Sequence, residues 1–189
     1  MSIVKNPFED TLVYEQQLPV KWSAFDPKVS ENTLTEMSHD NETLLHVLLG
    51  QDEGSKELEE SRHESSQELQ RLDAKVNLLL QWVGQWLSST QGAPASQSLR
   101  LSERGAEVEV PFTINVGEML LLEVYLNAQF PQPIKLPCEV FSVEPTSSGG
   151  TRVVACFTGL TTEVHDLIEK FIFRHHRRLV ALRRKQEQD

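Results

Sequence analysis

Cysteine is scarce. Cys138 and Cys156 are too few for a disulfide framework and lack the spacing of a metal site, so both are expected to be reduced, small hydrophobes in strands. Nine glycines and nine prolines in 189 residues exclude collagen-like and low-complexity chains. No run of eighteen apolar residues exists, so no membrane insertion is expected. The opening MSIVKNPFED has no basic start, apolar stretch or small-residue cleavage site, so the chain is expected to be cytoplasmic. No arginine occurs before Arg62. No G-x-S-x-G, phosphate-binding loop or dinucleotide fingerprint is present, and His39 and His46, which share a helix face at i, i+7, have no carboxylate partners at metal spacing. We therefore expect no catalytic residue, no metal, no cofactor and no enzymatic activity.

What is present is a 39% hydrophobic chain with a net charge of −10, enough to bury a real core and too acidic for nucleic acid to be the main partner. The charge is unevenly placed. Residues 1–60 carry thirteen acidic side chains against four lysines, whereas residues 170–189 carry seven Lys and Arg against two acids. The two ends can attract each other.

Alternation of Leu18, Val20, Trp22 and Ala24 predicts a strand over 12–24, closed by Asp26-Pro27. Leu34, Met37, Leu44, Leu45, Leu48 and Leu49 recur at helical intervals, predicting a helix over 33–49 and a polar break at Gly50–Gly54. From Ser55 to Ser89 there is no proline and one glycine, Gly84, which permits a helix of roughly 50 Å. Leu58, Leu69, Leu72, Val76, Leu79, Val83 and Trp86 occupy one heptad seam, strict from Leu69 onward, and Leu78, Leu80, Trp82 and Leu87 widen it. Such a surface predicts self-association into a parallel trimer or tetramer, the tetramer being preferred, with the 33–49 helix as an outer layer. A Ser/Gly/Pro/Ala linker over 88–98 leads to five short strands at 98–102, 106–112, 118–126, 134–143 and 151–158, with a hairpin at Gly149-Gly150. Thr161 or Thr162 then caps a final helix with the apolar stripe Val164, Leu167, Ile168, Phe171, Ile172, Leu179 and Leu182. The fold class is mainly β with an α insertion: a first strand in 1–30, an inserted helical coiled-coil segment in 31–92, and the rest of a six-stranded barrel with its final helix in 93–189.

Arg100-Leu-Ser-Glu-Arg-Gly105 before the strand at 106–110 resembles the [D/N]-x-S-x-x-G motif of PilZ domains, six-stranded barrels that bind the bacterial messenger cyclic di-GMP. Phe157-Thr-Gly-Leu160, Ile168-Glu-Lys-Phe-Ile-Phe173 and Arg177-Arg178 resemble the end of that domain. The resemblance implies a cyclic di-GMP pathway controlling motility, pili, biofilm or virulence, with Arg100, Ser102 and Gly105 at the motif positions. Two departures stand out. Arg100 replaces the family's acidic residue, and the R-x-x-x-R element before the first strand, which grips phosphates bidentately, is missing. The expectation is an oligomeric adaptor for an unidentified signalling protein, with very weak or absent nucleotide binding. The alternative is a true receptor whose site is shifted to Arg100, Ser102 and Arg104.

Overall fold

The period-two stretches fold as six strands. A computed structural model describes residues 6–57, 71, 72, 74–76, 78, 79, 82, 83, 94–127, 132–147 and 149–186. Its elements are β1 (Tyr14–Ala24), α1 (Glu31–Glu57), β2 (Ser96–Leu101), β3 (Gly105–Val110), β4 (Met119–Val124), β5 (Ile134–Pro145), β6 (Thr151–Phe157) and α2 (Thr162–Gln186). The strands close a barrel in the order β1-β2-β3-β6-β5-β4, all neighbours antiparallel. β1 pairs with β2 from Tyr14↔Leu101 to Pro19↔Ser96, and then with β4 from Val20 to Ala24. The helical insertion therefore connects two adjacent, antiparallel strands. As expected, Gly149 takes a left-handed φ of 87° at the β5–β6 turn, where Thr146 N–H donates to Gly150 O at 2.9 Å.

Inward-facing Leu99, Leu101, Val110, Val124, Ile134, Leu136 and Val153 are fully buried. Each such side chain contributes roughly 1.5–3 kcal/mol of transfer free energy. α2 closes one barrel mouth with Val164, Leu167, Ile168 and Ile172. Thr161 caps it, its Oγ1 accepting Val164 N–H at 3.3 Å. Both cysteines are free thiols, Cys138 buried in β5 and Cys156 half-buried in β6, and burial pushes both thiols up from their ordinary range.

Two expectations about the first helix are corrected. There is no break at Gly50–Gly54: α1 continues through both glycines to Glu57. A helical glycine costs about 1 kcal/mol, which does not end a helix already anchored by Leu44, Leu45, Leu48 and Leu49 in the core. Nor is the apolar face of α1 free to form the outer layer of a coil. It lies in the barrel's own core, pinned by buried Asn41, whose Nδ2 donates to Lys135 O and whose Oδ1 accepts Lys135 N–H, both at 2.8 Å. A two-pronged amide clamp on β5 fixes where α1 sits.

The seam behaves differently. Leu58, Leu69 and Trp86 lie outside the described residues, while Leu72, Val76, Leu79 and Val83 are helical and 58%, 49%, 57% and 47% exposed. Leu78 and Trp82 are exposed as well. None of these six side chains is used by the chain's own core.

Tyr14 gives the fold a pH signature. Its ring is buried against Phe171 and His175, its hydroxyl donates to Gln16 Oε1 at 3.1 Å, and burial pushes its pKa from 10.0 up to about 12. The folded state thus holds the phenol proton more tightly than the unfolded chain. This contribution is complete below pH 10 and is lost as pH rises from 10 through about 12, at about 1.4 kcal/mol per pH unit. Urea unfolding between pH 9 and 11.5 should show that extra slope in the wild type and not in Tyr14→Phe; equal slopes would contradict it.

Candidate functional site

The hairpin joining β2 to β3 brings Arg100, Ser102, Arg104 and Gly105 to one corner, at the barrel mouth that α2 covers. Leu101 pairs with Ala106, and Ser102 N–H donates to Gly105 O at 2.9 Å, so residues 102–105 form a tight turn. The first turn of α2 supports it: the ring N–H of His165 at Nδ1 donates to Glu103 O at 2.8 Å.

Ser102 is fully buried and spends its hydroxyl inside the protein. Oγ donates to Pro7 O at 2.7 Å, and it accepts Gly105 N–H at 3.1 Å and Arg104 N–H at 3.2 Å. Gly105 is required on steric grounds. A Cβ there would run into the Ala155 carbonyl oxygen of β6 and lie 2.7 Å from Pro7 Cβ. The chain's own residues 6–10 therefore lie across the motif. Pro7 is buried on Gly105, Phe8 places its ring 4.8 Å from the Arg100 guanidinium carbon, and Glu9 O accepts a hydrogen bond from Arg104 Nη2.

Charge at the corner is already neutralised. Arg100 Nη1 is hydrogen-bonded and ion-paired with Glu107 across the hairpin, and its Nε is 4.0 Å from Glu15. Glu107, only 16% exposed at its side chain, also faces Arg152 Nε at 3.6 Å. Arg104 Nε lies 3.5 Å from Glu103. Of the two fortuitous R-x-x-x-R spacings, Arg100…Arg104 is this corner, and Arg174…Arg178 lies on α2, where Arg174 Nη1 donates to Leu49 O at 2.6 Å.

Arg100, Ser102 and Gly105 lie together on the β2–β3 hairpin. Pro7, Phe8 and Glu9 were not anticipated, because three residues without periodicity carry no pattern. Glu107 had a signal: it is as far after the turn as Arg100 is before it, which places the two opposite each other in any hairpin closed at 102–105. At the other barrel mouth, β2 and β3 separate after Leu99↔Val108 and leave an open cleft of about 830 Å³ lined by Val20, Trp22, Ser98 and Pro111. Its charged groups are engaged, Lys21 with Glu123 at 3.7 Å and Glu109 with Thr146 Oγ1 at 2.8 Å. Among the described residues no cluster of His, Cys, Asp and Glu is arranged to hold a metal, and no helix is long and apolar enough to cross a membrane.

The family described as "Atypical PilZ domain, cyclic di-GMP receptor" matches residues 44–185. A crystal structure of a pathogenic protein from Xanthomonas campestris, described as a new tetrameric PilZ domain self-assembled via an unusual helical bundle, is 26% identical, with a TM-score of 0.69 over 92% of each chain. Looser likenesses are the Bacillus subtilis inhibitor of motility MotI/DgrA, 14% identical, TM-score 0.37, covering 43% of this chain and 41% of that one, and the PilZ domain of Escherichia coli YcgR with c-di-GMP, 15% identical, TM-score 0.34, covering 49% and 81%. No curated protein matches the chain.

Proposed function

Because the chain belongs to the atypical PilZ family, we propose that it works in cyclic di-GMP signalling as a homo-oligomeric adaptor rather than as a tight receptor, its barrels displayed around a stalk built from residues 55–89. The observation that carries this reading is the apolar stripe Leu72, Val76, Leu79 and Val83, helical and left exposed by its own chain. An apolar surface of that kind marks an association site. The Xanthomonas relative, a tetramer held by a helical bundle, supports a tetramer here. Displaying several barrels on one stalk raises the effective concentration for a multivalent protein partner without any new contact.

The motif corner supports the second half of the reading. A nucleotide phosphate needs free guanidinium groups; Arg100 is held by Glu107 and stacked on Phe8, and no arginine precedes Arg62. Losing two charge-assisted contacts at about 1.5–3 kcal/mol each weakens binding by roughly two to four orders of magnitude. The shifted site at Arg100, Ser102 and Arg104 is filled by Pro7 and Glu9. Isothermal titration with cyclic di-GMP at physiological salt should therefore give no saturable heat at low micromolar ligand. A low-micromolar dissociation constant would instead establish the shifted-site receptor, and an Arg100→Ala variant would then abolish it.

A further inference from the structure

At the barrel mouth away from α2, the wall between β2 and β3 opens. β2 meets β3 only from Leu99↔Val108 to Leu101↔Ala106, while β1 stays with β2 as far as Pro19↔Ser96 and β6 stays with β3 as far as Val110↔Thr151. Each strand is held there by its outer neighbour and parts from the other. The cleft of about 830 Å³ lies between them, a volume typical of a ligand site.

The turn at 102–105 decides which way the main chain of β2 points. In an antiparallel pair, residues that exchange N–H and C=O groups with the partner alternate with residues that turn those groups away. Ser102 N–H bonds Gly105 O, so Arg100, Ser98 and Ser96 turn their main chain toward β3, and Leu99 and Gln97 turn theirs toward β1. Because the ladder stops at Leu99↔Val108, the N–H of Ser98 and the main-chain groups of Ser96 face the cleft with no strand opposite among the described residues. The far wall supplies none: Val110 is paired with Thr151, and Pro111 has no N–H.

Beside this edge the lining is apolar, with Val20, Trp22, Val110 and Pro111. The Trp22 ring meets Phe112 edge-on at 4.3 Å, and Phe112 is itself 38% exposed. The two charged residues of the lining are engaged, Lys21 with Glu123 and Glu109 with Thr146. The cleft therefore offers a phosphate or a metal little. It offers a strand edge next to an aromatic and aliphatic surface. An extended polypeptide uses both at once, its main chain bonding the edge and its alternate side chains reaching the apolar surface.

We propose that this cleft binds an uncharged, extended peptide segment of a partner protein, added as a strand along Ser96–Ser98 with alternate apolar side chains on Trp22, Phe112 and Pro111. The inference deepens the adaptor reading, on which it rests for the partner being a protein, by naming the surface through which each barrel holds it. One such edge per barrel is what a multivalent display requires.

The test pans the full-chain protein against a displayed library of random short peptides and measures the selected sequences, made synthetically, by fluorescence anisotropy. They should carry apolar residues at alternate positions and few charges. Ser98→Pro removes an N–H that faces the cleft and no bond of the β1 ladder, Ser98→Ala keeps that N–H, and Phe112→Ser removes the exposed ring. Ser98 and Phe112 are exposed, so circular dichroism should show the fold retained in all three. Ser98→Pro and Phe112→Ser should each weaken the peptide about tenfold, and Ser98→Ala should match the wild type. Methylating alternate peptide nitrogens should abolish binding in one phase and spare it in the other; this readout and Phe112→Ser carry the test alone if the proline unfolds the barrel. No selected peptide, or peptides indifferent to Ser98→Pro, Phe112→Ser and methylation, would overturn the site. A fall in oligomer mass caused by Ser98→Pro would assign the edge to a second copy and overturn it too. The Leu72→Asp, Leu79→Asp chain separates this inference from the oligomeric reading, since it should bind peptide with the wild-type affinity per chain. A wild type that is monomeric and binds peptide loses the stalk and keeps the cleft.

Discussion

Replacing Leu72 and Leu79 by aspartate is expected to reduce the protein to a single chain of 21.5 kDa at sedimentation equilibrium, with the barrel's unfolding temperature unchanged. The two leucines are seven residues apart, one full heptad along the seam, so they face the bundle axis together. In a bundle of four helices the double substitution places eight carboxylates in a dry interior. Each leucine removed forfeits roughly 1.5–3 kcal/mol of burial, and an isolated buried charge costs several kcal/mol more. No bundle of this length withstands a loss multiplied by the number of its helices. The barrel is indifferent because its core uses none of these side chains: both leucines are exposed in the single chain. An unchanged mass would remove the stalk as the assembly element. A lowered unfolding temperature at unchanged mass would mean that the stripe packs on its own barrel.

The second large effect is at the corner. Gly105→Val should lower stability by about 3 kcal/mol and the unfolding temperature by on the order of 10 °C, measured by thermal circular dichroism. The position tolerates no side chain, since a Cβ collides with the carbonyl oxygen of Ala155, a backbone atom that cannot rotate away, and with Pro7. Relief requires β3 to move off β6, along a pairing that runs from Gly105↔Cys156 to Val110↔Thr151. The change also pushes Pro7 away, which leaves the buried Ser102 hydroxyl only its longer bond to Gly105 O at 3.3 Å in place of the one to Pro7 O at 2.7 Å. Exchanging a good buried hydrogen bond for a long one adds to the cost, on the order of 1 kcal/mol. An unfolding temperature within a degree or two of wild type would show that residues 6–10 yield freely and do not hold the corner.

The barrel was legible because period two leaves a clear trace: Ala106, Val108 and Val110 alternate with Glu107 and Glu109, and in the structure the first three face the core. Helix existence was legible from apolar residues recurring every three or four positions. What a helix packs against was not. Leu44, Leu45, Leu48 and Leu49 say that one face must be covered, and a barrel or a neighbouring helix satisfies that equally. The glycines at 50 and 54 misled because a propensity worth about 1 kcal/mol yields to packing. At the candidate site the pattern located Ser102 and Gly105 at the corner, yet the chemistry of that corner is decided by Pro7, Phe8 and Glu9, ninety-odd positions earlier. Contacts so distant in sequence, made through a buried hydroxyl and backbone carbonyls, leave no periodic signal.

The pairing of β1 with β2 across the whole helical insertion bears on how the protein folds. Were it an ordinary hairpin, its two strands would zip early and locally. Here residues 20–95 must be looped out before Pro19 meets Ser96, and closing a loop of that length costs roughly 2–3 kcal/mol more than closing a four-residue turn. The strands β3 to β6, joined by short connections, have no such delay. By this measure β1 is the strand whose pairings are slowest to close, since its other partner, β4, lies further along the chain still at Val20↔Val124, and any encounter that brings the two ends of the insertion together, assembly of the stalk included, shortens the search for the β1–β2 pairing.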